Sequence, residues 1–345
     1  MARLADNRPM SAPSTADAER RSRVDLDRQL LLRLAAAPAS GDALAAAHGL
    51  TRAAVWKRIQ ALREAGIAIE ARPGQGYRLA QPLDLLDAET LHAALAPACR
   101  ARLAGLALVW QVDSTNSALL AQPPPAGGVR VLLAERQSGG RGRRGRAWVS
   151  PLAANLYLSL DRRFASGLAR LPGLSLVAGI VAAEALRAVT GLDIRLKWPN
   201  DLLLDGRKLG GLLVEGGGEH AGPARAVIGL GVNVRMPPAA SVDIGQPWAD
   251  LTGAPRASSR NQLAAALLDA LLPALDEFDQ VGLARFLPRW QALDALAGRS
   301  VRIRLAEGEL EAEALGIAAD GALRVRTAQG ERLLHAGEVS VRANV

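Results

Sequence analysis

Apolar residues at helical spacing mark the first part of the chain. The stretch from Val24 to Ala37 predicts an amphipathic helix, Ser40 caps a second short helix that Gly49 ends, and Thr51 caps a third. Residues 67–79 then favour two short strands around a Pro-Gly turn. Two helices joined by a tight glycine turn and followed by a hairpin are typical of a winged helix-turn-helix domain.

Residues 83–296 contain both short apolar segments typical of strands and long segments typical of amphipathic helices. The patterns predict strands at 106–112, 131–135, 155–160, 194–197, 202–204, 212–215 and 226–234, and helices at 171–189 and 258–278, the second continuing as a helical segment to Leu296. This order is typical of an α/β domain in which strand ends carry the ligand-binding residues.

The apolar period changes to two after Gly298. Five short strands, predicted at 301–305, 309–317, 322–326, 332–335 and 339–342, are separated by glycine turns and predict a small β-barrel. The chain as a whole is therefore predicted to be a mixed α+β protein. Its predicted parts are a disordered leader (1–23), a winged helix-turn-helix (24–82), a central α/β domain (83–296) and a terminal barrel (297–345).

Composition restricts the setting in which the protein works. The chain has 345 residues and a net charge of +8, of which 13 − 8 = +5 falls within residues 1–80. A basic N-terminal module indicates a polyanionic partner. The single cysteine, Cys99, excludes an internal disulfide, and no apolar run is long enough for a membrane span, so we expect a cytoplasmic protein without a membrane partner.

The third predicted helix carries candidate DNA contacts away from its buried stripe. They are Arg52, Trp56, Lys57, Gln60 and Arg63. A basic helix after a glycine turn is the element that a helix-turn-helix domain places in the major groove. The alternative is a three-helix interaction module whose arginines are solvated, since no single residue proves a base contact.

The most distinctive stretch is residues 139–148, GGRGRRGRAW, here named the Gly/Arg loop. Glycines let the backbone approach a ligand, and guanidinium groups bind carboxylate or phosphate in a bidentate fork. The spacing also satisfies GxGxxG, but a loop and a strand follow where a dinucleotide site needs a helix. The alternatives are a solvated basic turn or an arginine-glycine nucleic-acid segment.

Two further stretches carry chemistry. Ser114, Thr115 and Asn116 form a polar corner at a strand end, although a serine or threonine there also caps a helix. Lys197 ends a strand before Trp-Pro-Asn-Asp201, and glycines within the neighbouring strands indicate close approach of a ligand or another chain segment. With no P-loop and no GxSxG elbow, these groups suit activation of a carboxylate by ATP, because cations must hold both charged reactants.

These residues resemble biotin protein ligases. The family's motif GRGRxGRxW is present at 140–148 and its motif KWPND at 197–201, its Ser-Thr-Asn stands at 114–116, and its glutamine before the loop is Gln137. The resemblance covers nearly all of the chain beyond Arg23. It implies a winged helix-turn-helix, a central ligase domain like those of class II synthetases, and a C-terminal SH3-like barrel. The leader and a proline loop at 122–128 depart from the family pattern.

The resemblance implies the reaction as well as the fold. Biotin and ATP, with Mg²⁺, would give biotinyl-5′-adenylate, which passes biotin to a lysine of the biotin carboxyl carrier protein of acetyl-CoA carboxylase. It further implies repression of biotin genes through operator DNA, and a homodimer when the protein is loaded with biotinyl-adenylate. Two alternatives stay open: a ligase whose N-terminal domain is only structural, and a lipoate-type ligase.

The resemblance also assigns residues. Lys197 and Arg143 would be catalytic. The biotin-binding set would be Ser114, Thr115, Asn116, Gln137, Arg141, Gly142, Arg143 and Lys197. The set for ATP and the adenylate would be Gly140, Arg141, Arg144, Gly145, Arg146, Trp148, Asn200, Lys208 and Asn233. No residue is predicted as a dedicated metal ligand.

Overall fold

The computed structural model describes residues 15–165, 167, 171, 173–218, 223–241, 244–305, 308–336 and 340–343. The chain divides into two compact units, Met1–Leu83 and Asp84–Val345. Among the described residues, no helix combines the length and the apolar character needed to cross a membrane. The domain limits predicted from the sequence stay predictions, and residues 1–14 of the expected disordered leader lie outside the described residues.

The first unit is a winged helix-turn-helix, as predicted. Its elements are α1 (Thr15–Ala36), α2 (Gly41–His48), α3 (Arg52–Glu64), β1 (Ile69–Arg72) and β2 (Gly76–Leu79). The side chains of Ser40 and Thr51 accept hydrogen bonds from the backbone N–H groups of Ala43 and Ala54, so both predicted N-caps are confirmed. Gly49 ends α2 with φ 64°.

Helix α1 is longer than the sequence pattern predicts. The prediction started it at Val24, whereas α1 begins at Thr15. Residues 15–23 (TADAERRSR) contain no apolar stripe, so the spacing of apolar residues could not predict that the helix includes them. Their alanines, glutamate and arginines nevertheless have high intrinsic helix propensity, and this is sufficient to extend an existing helix.

The wing of the first unit is attached to the turn before α2. Strands β1 and β2 pair antiparallel, and the backbone of Tyr77 exchanges hydrogen bonds of 2.8 and 3.0 Å with Ala39. Gly76 makes this approach possible, because a Cβ added there would lie 2.3 Å from the carbonyl oxygen of Ala39. The hairpin is thereby fixed beside the helices rather than extended into solvent.

The second unit is built on a mixed seven-stranded sheet. Its strands are β3 (Leu103–Val112), β4 (Val129–Gln137), β5 (Leu156–Phe164), β6 (Arg195–Lys197), β7 (Asp201–Leu204), β8 (Arg207–Gly218) and β9 (Ala224–Val232). Their order is β3-β4-β5-β9-β8-β7-β6. Only the β3–β4 pair is parallel, so the carboxyl ends of these two strands lie at the same edge of the sheet.

Helices cover this sheet and complete the core. They are α4 (Ala88–Ala94), α5 (Pro97–Arg100), α6 (Thr115–Leu120), α7 (Leu174–Thr190), α8 (Pro238–Ser241), α9 (Arg260–Val281) and α10 (Leu287–Leu293). Helices α7 and α9 pack against each other. The prediction of one helical segment from 258 to 296 is corrected, because Gly282 ends α9 at φ 73° and a short 3₁₀ turn precedes α10.

The strand that leads to the Gly/Arg loop is held by a buried ion pair. Glu135 of β4 and Arg260 of α9 are 2% and 1% exposed, and Arg260 Nη2 lies 2.7 Å from Glu135 Oε2. The other Glu135 oxygen accepts a hydrogen bond from the backbone N–H of Leu86. Burial raises the pKa of Glu135, although Arg260 opposes this effect. The end of β4 is therefore a rigid support for the residues that follow.

The last strands form a five-stranded antiparallel sheet at the predicted positions. They are β10 (Ser300–Leu305), β11 (Gly308–Ile317), β12 (Leu323–Thr327), β13 (Gly330–Leu334) and β14 (Ser340–Ala343), in the order β13-β12-β11-β10-β14. This sheet contacts the KWPND segment directly, since Trp198 Nε1 donates a hydrogen bond of 3.0 Å to the Gly321 carbonyl. Closure of the sheet into an SH3-like barrel stays a prediction.

Candidate active site

The three chemical stretches of the sequence meet at one cavity of about 750 Å³ in the second unit, here named the central cavity. The polar corner follows β3, Gln137 ends β4, and Lys197 ends β6. The predicted ligand-binding residues in the cavity wall are Ser114, Thr115, Asn116, Gln137, Arg141, Gly142, Arg143, Arg144, Arg146, Trp148, Lys197, Asn200, Lys208 and Asn233. Gly140 and Gly145 belong to the same loop and lie outside the described cavity wall. The roles assigned to all of these residues stay predictions.

The Gly/Arg loop forms a hairpin that lines the cavity. Its two arms pair through a bridge between Arg141 and Ala147 and through a hydrogen bond of 2.8 Å from Trp148 N to the Gly140 carbonyl. The tip bends at Arg144 and Gly145, which have φ of 59° and 70°. A hairpin with a left-handed tip is incompatible with a dinucleotide helix, so the interpretation of GxGxxG as accidental is confirmed.

Arg143 connects the loop to the walls of the cavity. Its Nη1 donates to Asn200 Oδ1 at 3.5 Å, and its Nη2 donates to the carbonyl of Ala336, beyond β13. Burial lowers the pKa of this guanidinium, although Asp201 opposes the shift and arginine stays charged at any physiological pH. A cation is thus held in the wall beside the KWPND segment.

The polar corner is prearranged by hydrogen bonds within the protein. Ser114 caps α6 by accepting from the Ser117 N–H, so the helix-capping alternative is confirmed for that residue. The backbone N–H and Oγ1 of Thr115 both donate to Gln137 Oε1, at 2.9 and 3.1 Å. Because Ser114 and Thr115 are each 4% exposed, these groups are fixed before any ligand arrives.

Asn116 is the most completely bound side chain of the corner. Its Nδ2 donates to Glu215 Oε2 at 2.8 Å and to the Leu213 carbonyl at 3.2 Å, and its Oδ1 lies 2.6 Å from Ser159 Oγ. Asn116 therefore ties α6 to β5 and β8 on the floor of the cavity.

Two lysines share one carboxylate on the other side of the cavity. Lys208 Nζ lies 2.6 Å from Asp201 Oδ1, and Lys197 Nζ lies 3.9 Å from Asp201 Oδ2. Lys208 also stands 5.6 Å above the ring of Trp148. Asp201 is the only acidic residue in the described cavity wall, against four arginines and two lysines of the Gly/Arg loop and β6–β8. The cavity is therefore strongly cationic and suits an anionic ligand.

Glycines in β9 allow two of these side chains to reach their places. A Cβ at Gly229 would lie 2.5 Å from Asn116 Oδ1, and a Cβ at Gly231 would lie 2.6 Å from the Trp148 ring. The prediction that glycines within strands mark close approach is therefore confirmed at both positions.

Asn233 and Asn200 bond to backbone within the wall. Asn233 Nδ2 donates to the Ala249 carbonyl at 3.0 Å, and Asn200 Nδ2 donates to the Leu212 carbonyl at 2.6 Å. Both amides therefore stabilise the segments that frame this part of the cavity.

Several residues of the site were missed by sequence reasoning. Ser159 and Glu215 contact the polar corner from β5 and β8, and Trp248 and Arg299 contribute to the cavity wall. The presence of Trp248, one of six tryptophans, in a Gly-Gln-Pro-Trp stretch was the one local signal available. Nothing local distinguishes Ser159 or Glu215 from other strand residues.

The predicted DNA contacts lie on α3 of the first unit with unequal exposure. Arg52, Trp56 and Lys57 are exposed, Trp56 to 53%. Gln60 and Arg63 are half-buried, and Arg63 Nε donates a hydrogen bond of 2.9 Å to the Ile69 carbonyl. Arg63 thus supports the wing, while the first three residues present their side chains to solvent.

The fold and the site together define a class of protein: a ligase-type α/β unit with a small C-terminal β-sheet, joined to an N-terminal helix-turn-helix unit. Residues 109–233 match the biotin/lipoate A/B protein ligase family, residues 27–78 an HTH domain, and residues 297–342 the biotin protein ligase C-terminal domain. The chain belongs to the biotin protein ligase family.

Individual relatives agree with this assignment. The bifunctional ligase/repressor BirA of Salmonella typhimurium is 41% identical over 88% of this chain and 93% of its own length. The biotin--[acetyl-CoA-carboxylase] ligase of Paracoccus denitrificans is 34% identical over 67% of this chain and 98% of its own length. The solved biotin protein ligase from Aquifex aeolicus, in complex with biotin and ATP, has a TM-score of 0.59 and 26% identity, covering 70% of this chain and all of that one.

Proposed function

We propose that this chain is a bifunctional biotin protein ligase and transcriptional repressor. As a ligase it joins biotin to ATP to form biotinyl-5′-adenylate and pyrophosphate. It then transfers the biotinyl group to a lysine amine of the biotin carboxyl carrier protein, with release of AMP. The names of the relatives, and the presence of all three of the family's domains in one chain, support both activities.

One observation carries the ligase proposal: the Gly/Arg loop, the polar corner and the KWPND lysine surround a single cationic cavity of about 750 Å³. This volume lies within the usual range for small-molecule sites of about 300–1,000 Å³. Adenylation brings a carboxylate against a triphosphate, and the two anions repel each other unless cations lie between them. The cavity supplies those cations from the Gly/Arg loop and from strands β6 to β8.

On the biotin side, the hydroxyl and amide groups of Ser114, Thr115, Asn116 and Gln137 would hold the polar ring of biotin. Hydrogen bonds within the protein keep these groups oriented, which lowers the ordering cost of binding: Thr115 bonds to Gln137, Ser114 to the Ser117 N–H, and Asn116 to Glu215 and Ser159. Lys197 would stand at the biotin carboxylate and the α-phosphate of ATP. A carboxylate oxygen attacks the α-phosphorus, pyrophosphate leaves, and the lysine and Arg143 stabilise the negative charge that builds up on the phosphoryl oxygens.

On the nucleotide side, the loop arginines and Lys208 would bind the phosphates, and Trp148 would stack on the base. The remaining members of the predicted set, Asn200 and Asn233, would shape this half of the cavity through their backbone bonds. ATP would enter as its Mg²⁺ complex, with the metal held by phosphate oxygens, and Asp201 is the acidic side chain that the described cavity wall offers to it. The ion would reduce the charge of the triphosphate before attack.

The N-terminal unit would bind biotin operator DNA through the exposed face of α3. The basic balance of residues 1–80 and the exposed Arg52, Trp56 and Lys57 support this proposal. We further propose that the adenylate-loaded protein acts as a homodimer, as repressors with one helix-turn-helix per chain need two half-sites. The single cysteine supports a cytoplasmic location.

Mass spectrometry of an isolated carrier domain tests the ligase directly. Incubation with the protein, MgATP and biotin should add one biotinyl group to a single lysine, and a carrier with that lysine changed to arginine should gain nothing. Replacing biotin by lipoate tests the lipoate-type alternative: modification with lipoate alone would overturn the proposal.

A mobility-shift assay with promoter fragments of biotin genes, with and without biotinyl-adenylate, tests the repressor half. Shifted DNA that depends on the adenylate supports repression. Full ligase activity without any salt-dependent DNA binding would show that the N-terminal unit is only structural.

A further inference from the structure

Glu215 on β8 touches both the floor of the central cavity and the loop above it. Its Oε2 accepts a hydrogen bond of 2.8 Å from Asn116 Nδ2, and its Oε1 lies 3.3 Å from Arg141 Nη2. Neither the sequence pattern nor the family motifs assign it a role. One carboxylate therefore joins a fixed element, the polar corner, to the Gly/Arg loop.

The two contacts of Glu215 differ in strength. The bond to Asn116 is short, and Asn116 is also fixed by Leu213 and Ser159, so this end is rigid. The Arg141 end is longer, and the side chains of Glu215 and Arg141 are 29% and 41% exposed. An ion pair of this exposure is weak and reversible, which suits a contact that must form and break in each catalytic cycle.

We propose that Glu215 is a positioning residue that anchors the Gly/Arg loop in its closed position by holding Arg141. This inference rests on the proposed ligase function. Biotinyl-adenylate is a mixed anhydride that water or any nearby amine can attack, so the enzyme must cover it until the acceptor lysine arrives. When Glu215 loses its charge, Arg141 is released and the loop opens, and the adenylate escapes before transfer.

The variant Glu215→Gln separates the two contacts. The glutamine carbonyl oxygen still accepts a hydrogen bond from Asn116, so the floor of the cavity is retained. The glutamine amide cannot accept one from Arg141, so only the anchor of the loop is lost. We expect the release of preformed, radiolabelled biotinyl-adenylate to become about twofold to fivefold faster, the scale of a partly exposed ion pair.

The same variant should lose coupling between the two steps. Pyrophosphate formed per biotin transferred to the carrier domain should rise above one, because adenylate that escapes has been formed but not transferred. A role of Glu215 in fold stability alone would lower the melting temperature and leave this ratio at one.

Two controls restrict the interpretation. Glu184→Gln breaks a comparable pair with Arg289, whose partners are 38% and 37% exposed, but lies on α7 away from the cavity. It should leave adenylate release unchanged. In an Arg141→Gln background, Glu215→Gln should add nothing further, because a residue that acts through Arg141 has no effect once Arg141 is absent.

Each outcome decides a separate question. Wild-type release rates in Glu215→Gln, or an undiminished effect in the Arg141→Gln background, would overturn the anchor. If Glu215→Gln does not fold, Glu215→Asp replaces it as the test. Aspartate keeps the charge but is too short to reach both Asn116 and Arg141, so this variant should also release the adenylate faster. A wild-type release rate in Glu215→Asp would overturn the anchor. If the unaltered protein forms no biotinyl-adenylate, the proposed function fails, and this result is distinguishable because it appears without any variant.

Discussion

The variant Gly229→Ala tests whether the floor of the central cavity depends on a strand without side chains. A Cβ at residue 229 would lie 2.5 Å from Asn116 Oδ1, 3.0 Å from its Cγ and 3.1 Å from its Nδ2. Ordinary contact begins at 3.4 Å, so the oxygen must retreat by about 3.4 − 2.5 = 0.9 Å. Asn116 is 4% exposed and its amide is held by Glu215, the Leu213 carbonyl and Ser159, so any retreat disturbs these hydrogen bonds.

The magnitude follows from the bonds that this retreat disturbs. Asn116 contacts Glu215 at 2.8 Å, the Leu213 carbonyl at 3.2 Å and Ser159 at 2.6 Å. Each such bond contributes about 1 kcal/mol, and a misplacement of about 1 Å in a positioned group can cost about 10² in rate. The loss of one or two of these bonds, about 1–2 kcal/mol, corresponds to a fall in biotin affinity of about 5-fold to 30-fold.

Titration calorimetry with biotin measures the effect, with thermal unfolding as a check on the fold. Gly217→Ala is the matched control, because it makes the same change in the neighbouring strand β8, where a Cβ meets nothing within 4 Å. If Gly229→Ala binds biotin as tightly as the unaltered protein, then Asn116 does not form part of the biotin site and the assignment of the polar corner is wrong.

Three further predictions concern separate parts of the molecule. Lys197→Ala should lower the rate of adenylate formation by about 10²–10³, the scale of one preorganised charge donor, in a biotin-dependent pyrophosphate-exchange assay; near-normal turnover would remove Lys197 from the mechanism. Arg52→Ala combined with Lys57→Ala should weaken operator binding and flatten its salt dependence in a mobility-shift series, while ligation continues; unchanged DNA binding would place the DNA elsewhere. Burial raises the pKa of the Cys99 thiol to about 11, so at pH 8 only about one thiol in a thousand is ionised. Iodoacetamide should therefore label the native protein slowly, faster as the pH rises towards 11, and completely in urea; rapid native labelling at pH 8 would contradict the burial of this side chain.

Features that depend on neighbours along the chain could be predicted from the sequence. Ser40 and Thr51 cap helices because a hydroxyl precedes an apolar stripe by a fixed number of residues, and the structure confirms both caps. The close approach of other groups to Gly229 and Gly231 could also be predicted. Glycine weakens a strand and usually occurs in one only where another group approaches closely. The motifs of the loop and of the KWPND segment needed only their own spacing.

Features that depend on distant partners could not be predicted in this way. Ser159 and Glu215 are 43 and 99 positions from Asn116, and an alternating strand pattern gives no indication of which polar residue faces a ligand. The break after α9 was missed because apolar residues continue at helical spacing beyond Gly282, and only the backbone conformation of that glycine interrupts the helix. The sequence thus defines the elements, while packing decides which of their side chains meet.

The contact between Trp198 and the C-terminal sheet has a consequence for how the chain can be divided. The indole of Trp198 is 2% exposed, and its N–H donates a hydrogen bond to the Gly321 carbonyl. A truncated protein ending near residue 296 would lack Gly321, so the indole next to Lys197 would lose the acceptor of its N–H. The C-terminal sheet therefore supports the KWPND segment from behind the cavity wall. A fragment intended to retain catalysis has to include this sheet.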